Sequence, residues 1–184
     1  MTIHVTSRRV ALVAAGGLLA ALALSGAAQA ITGNVFRYTT PKTGHFTIHV
    51  MAMTPDSDAA ANDYSIDSGG HLSTGTANLC FTAGVTLPHG ATMTRLSIWY
   101  TSGAASDPVV NLLREALVDG TTNVIIPNTF DDSGTRTQSN TAIPNNSFAK
   151  VNNAQYAYGF VICLGSDTTF HGARITYTYN TAGD

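Results

Sequence analysis

Lysine and glutamate are almost missing from these 184 residues: Lys42, Lys150 and Glu115 are the whole supply. Both types favour helices. Their scarcity, beside abundant Thr, Ser, Asn and Gly, excludes a helix-rich domain and points to strands joined by turns. Basic residues of every kind are few. Past the first thirty positions, seven stand against eleven acidic residues, a net charge of about −4 with histidines neutral. No dense basic stripe exists to grip nucleic acid, and an anionic membrane surface would gain nothing. Beyond the N-terminal run Val10–Leu24, no apolar segment approaches the roughly 20 residues a span needs, so no membrane span is expected in the mature chain. Catalytic signatures are missing too: there is no G-x-S-x-G and no H-E-x-x-H. With a single glutamate, a glycosidase-type carboxylate pair would have to come from loop aspartates such as Asp107, Asp131 or Asp132, and nothing singles out a pair. No cofactor is implied.

The N-terminus is where the sequence is most explicit. Met1 to Arg9 carries Arg8 and Arg9 and no acid, Val10 to Leu24 is apolar, and Ser25 to Ala30 ends in Ala-Gln-Ala. That is the layout of a cleaved secretory signal. Ser7-Arg8-Arg9 has the arginine pair of a twin-arginine signal, but Val10 to Val13 lack its aromatic and lysine, which favours the Sec route over Tat. The expected organisation is a signal peptide over 1–30 and one secreted domain over 31–184. The two cysteines, Cys80 and Cys163, are then expected to pair, closing a loop of about 80 residues.

Alternation marks the strands. Val35 to Thr40 reads as a short strand closed by a Pro41-Lys42-Thr43-Gly44 turn, and His45 to Met51 as a second, with Phe46, Ile48 and Val50 inward. Thr54 to Gly75 reads as a long polar loop with a short strand near Tyr64. Asn78 to Val85 and Thr92 to Thr101 are strands on either side of a Leu87-Pro88-His89-Gly90 turn. Val109 to Val118 could suit a helix face, but its valines and the following Asp119-Gly120 favour a strand and hairpin. Pro127 to Asn146 reads as polar loop, Tyr156 to Leu164 as an alternating strand, and Thr169 to Asn180 as the last. About eight strands without a convincing helix predict an all-β fold: an antiparallel two-sheet sandwich, jelly-roll-like.

Few residues ask for chemistry. In the strand 92–101, Leu96, Ile98 and Tyr100 point one way and Arg95, Ser97 and Trp99 the other. An exposed indole beside an arginine suits a sugar ring or a partner contact, so Arg95 and Trp99 are the candidate ligand-binding residues. Asp56, Asp58 and Asp63 form a weak calcium candidate that departs from the EF-hand spacing. His45 and His49 would lie about 13 Å apart on a strand, too far to share an ion. His89 is expected at the tip of its turn, exposed and without a chemical partner.

Several of these segments recur together elsewhere. V-x-L-P-x-G-A at Val85 to Ala91, a strand ending in aromatics, and G-x-R-I-x-Y at Gly172 to Tyr177 resemble a widespread group of small secreted bacterial β-sandwich proteins. The similarity spans about residues 50 to 180. The chain departs from that pattern where many relatives have a cysteine just before the closing glycine, for Phe170-His171 stand there instead. The resemblance implies fold and export and no activity. The resulting expectation is a secreted, non-enzymatic binding or structural module with an extracellular or cell-envelope partner. One alternative is a carbohydrate-binding module using an exposed aromatic face; the other is a small hydrolase whose site forms only in three dimensions.

Overall fold

The computed structural model describes residues 36–56, 63–75, 79–102, 108–129, 139–166 and 168–182. The expected signal segment and Asp107, Asp131 and Asp132 lie outside them. Among the described residues the strands are β1 (Phe36–Ile48), β2 (Thr54–Pro55), β3 (Tyr64–Ile66), β4 (Leu72–Thr74), β5 (Leu79–Val85), β6 (Thr92–Ser102), β7 (Val109–Ala116), β8 (Thr122–Thr129), β9 (Ser139–Ala142), β10 (Tyr156–Leu164) and β11 (Thr168–Ala182), with one helical turn at Val50–Ala52. They form two antiparallel sheets. One runs β3-β4-β11-β6-β9 with β1 also on β11; the other runs β2-β5-β10-β7-β8. The two-sheet sandwich is therefore as the alternation predicts.

The strand count is eleven rather than about eight. The additions are β2, β4 and β9, hidden in stretches that read as polar loops, because two to four residues are too few to show alternation. The N-terminal segment also departs from the expected two strands. Residues 36–48 are one continuous strand, and no turn forms at Pro41-Lys42-Thr43-Gly44. β6 lines one edge of β11 from Thr168 to Thr178, so β1 shares the opposite edge with the short β4. An outer strand tolerates Pro41, and Gly44 leaves room for the Tyr177 ring packed directly against it. The strand-and-hairpin reading of 109–126 holds: Gly120 takes φ 71°, and Asp119 accepts a hydrogen bond from the Thr121 amide at 2.9 Å.

Parity then builds the core. Leu96, Ile98 and Tyr100 of β6, Ala173 and Ile175 of β11, Phe160 and Ile162 of β10, and Leu112 of β7 are fully buried. Two aromatic contacts tie the sheets together: Phe160 to Phe170 at 6.1 Å and Tyr64 to Phe81 at 5.4 Å between ring centroids. Cys80 and Cys163 face each other in the β5–β10 register and are joined as a disulfide. Between Phe170 and Gly172 the β11–β6 register shifts, leaving His171 as an extra residue. This bulge lets Phe170 share the inner face with Ala173 and Ile175, and it opens the outer face at Gly172.

Candidate functional site

The outer face of the six-stranded sheet carries Trp99, the only tryptophan in the chain. The pleat of β6 turns Leu96, Ile98 and Tyr100 into the core and leaves Trp99 half-exposed. Its partner across the ladder is Gly172. Gly172 has no side chain to offer, takes φ 153°, and a Cβ there would meet the Ile48 carbonyl at 3.1 Å. The result is an open groove of about 350 Å³ with Gly172 at its floor, the indole on one side, and Thr47, His49 and His171 around it.

Arg95, expected beside the indole, is exposed but four residues along the strand, roughly 13 Å away at strand spacing. Ser97 between them is buried and donates to Asn140 of β9 at 2.6 Å. The arginine that meets the ring is Arg174, the diagonal cross-strand neighbour on β11, with its guanidinium carbon 5.1 Å from the ring centroid. Cross-strand neighbours lie closer than residues four apart on one strand, and a single strand read alone does not reveal them.

The histidines around the groove are fixed by local contacts. His49 accepts a hydrogen bond on Nδ1 from the Met51 amide at 3.2 Å, capping the helical turn. That leaves Nε2 as the donor of the neutral ring. His171 bonds through Nε2 with the Thr101 hydroxyl at 3.0 Å, and its ring lies 4.4 Å from that of His71. His71 is paired through Nδ1 with Asp67 at 3.0 Å. Burial, and then the charge of His71, hold the His171 pKa below the ordinary value near 6.5. The His71 amide, donating to Asp67 at 3.0 Å, and the His71 ring draw that carboxyl below its usual range.

The remaining histidines and the calcium candidate lie apart from the groove or from one another. His45 and His49 are both exposed, and His45 bonds Thr176 at 3.3 Å. Asp58 lies outside the described residues; Asp56 follows β2 of one sheet, while Asp63 precedes β3 of the other. Among the described residues, no three His, Cys, Asp or Glu side chains gather as a metal-binding group. His89 is exposed as expected, but it does have a partner: its Nδ1 accepts from the Asn153 amide at 3.2 Å.

No protein-family model matches the sequence, and no curated protein does. The solved structures that are similar at low identity include the following three. The C-terminal CBM6 of LamC, a marine laminarinase of Zobellia galactanivorans, aligns at 14% identity and a TM-score of 0.45, over 72% of this chain and 99% of that one. The xylan-binding module CBM15 aligns at 9% and 0.47, over 73% and 97%. The family 32 CBM of C. perfringens NanJ, in complex with galactose, aligns at 11% and 0.40, over 72% and 99%.

Proposed function

We propose that this chain is an exported carbohydrate-binding module whose ligand platform is the Trp99 groove. The observation that carries this is the pairing of a half-exposed indole with a side-chain-free floor at Gly172. The indole offers an apolar plane to the C–H face of a sugar ring, and Gly172 lets the ring approach the sheet. Thr47, His49 and His171 supply donors and acceptors to the hydroxyls at the ring's edge. Arg174 lies over the indole and limits its rotation, so little side-chain freedom is lost on binding. The Cys80–Cys163 disulfide suits an oxidising, extracellular setting.

The test is affinity electrophoresis of the mature protein through gels containing neutral polysaccharides: xylan, galactan, and mixed-linkage and β-1,3-glucans. At least one should retard the protein, and Trp99→Ala should weaken that retardation about tenfold or more, the scale of one lost stacking contact in a groove. Equal retardation of a folded Trp99→Ala variant would remove the groove from the account.

A further inference from the structure

A second cavity lies where β5 hands over to β6 and where β10 begins. It measures about 470 Å³ and is lined by Arg114, Lys150, His89, Asn152, Gln155 and Tyr156, among others. It contains no carboxylate, although acidic residues outnumber basic ones in the chain. It takes one of only two lysines and an arginine that is 8% exposed. The Arg114 guanidinium is held between the Phe148 and Tyr156 rings, at 4.2 and 4.1 Å from their centroids. Its Nη1 donates to the Ser147 carbonyl and its Nη2 to Asn123, both at 3.3 Å, while Nε has no hydrogen-bond partner. Among the described residues, no acidic side chain forms an ion pair with it. A buried charge without a counter-charge is costly to keep.

The surroundings are built rather than loose. Asn146 accepts from the Phe148 and Ala149 amides at 2.9 and 3.1 Å, and the Tyr158 hydroxyl accepts from the Asn152 amide at 2.7 Å. With its Nδ1 occupied by the Asn153 amide, His89 keeps Nε2 as a donor. We infer that this cavity binds the carboxylate of an acidic sugar, with Arg114, Lys150 and His89 as the anion's partners. Asn152 Nδ2 donates to Gln155 Oε1 at 2.8 Å, which leaves Asn152 Oδ1 and Gln155 Nε2 to serve the neighbouring hydroxyls and favours a uronate over an acidic peptide. This site is separate from the Trp99 groove and stands without it.

Calorimetric titration of the mature protein with polygalacturonate, and with galactan as the uncharged counterpart, tests it. Polygalacturonate should bind with no change in Trp99 emission. Lys150→Gln and His89→Gln, both at exposed positions, should each weaken binding severalfold and together more than tenfold; Arg114→Lys should weaken it further if that variant folds. Binding that survives the Lys150→Gln, His89→Gln double change would overturn the inference. So would absence of binding, or equal binding of galactan, polyaspartate or inorganic sulfate.

Discussion

His171 joins the groove to the protein's response to pH. Burial and the neighbouring His71 keep its pKa low in the folded state, while the unfolded chain restores the ordinary value near 6.5. The unfolded state then binds more protons as pH drops below that value, so stability declines from there down through the folded pKa. Asp67 acts in a lower window: its depressed carboxyl helps above about 3.8, and the help is lost as pH falls through the folded value. The melting temperature should therefore be lower at about pH 5 than at about pH 7.5, and His171→Gln should reduce that difference. An unchanged difference in the variant would locate the effect elsewhere. This residue was invisible in the sequence as a functional group. His171 stands in a plain run, and only the bulge before Gly172 presents it to Thr101, His71 and the groove. Trp99 was legible because one strand's parity fixes its face. Its arginine was not, since Arg174 reaches it across the ladder and Arg95 does not.

At the scale of elements, β11 organises the face proposed to bind the ligand. It carries the groove's floor at Gly172, the arginine over the indole, and the edge on which β1 lies. The motif G-x-R-I-x-Y from Gly172 to Tyr177, read in the sequence as a structural signature, supplies both the floor and Arg174. The turn motif at Val85 to Ala91 likewise places His89 at the second cavity. Long strands such as β6, β7 and β10 were legible because their alternation runs for eight residues or more. β2, β4 and β9 were not, and β1 was cut in two by a proline that an outer strand accommodates. The disulfide was legible from the cysteine count and the export expected of the N-terminal segment, and it spans a sequence separation of 83 residues between adjacent strands. Reducing it should cost on the order of 4 kcal/mol of stability in the chain-entropy account. Chemical denaturation with and without reductant measures this, with intact mass confirming the state of the thiols; equal denaturation midpoints would show that the pairing contributes little.

For the whole molecule, the two sheets provide a grooved outer face and a cation-lined cavity, both served by few charged residues. A neutral glycan at the first and an acidic one at the second would make this a two-site binding domain. The chain's composition permits a direct reading of the first site. Trp99 is the only tryptophan, so indole emission reports on the groove alone. Titrating the mature protein with the neutral polysaccharide that retards it in the gel should shift and saturate that emission, with the same apparent affinity as the electrophoresis. Saturable binding with an unaltered Trp99 spectrum would contradict the account, because the ligand would then be held somewhere other than the groove.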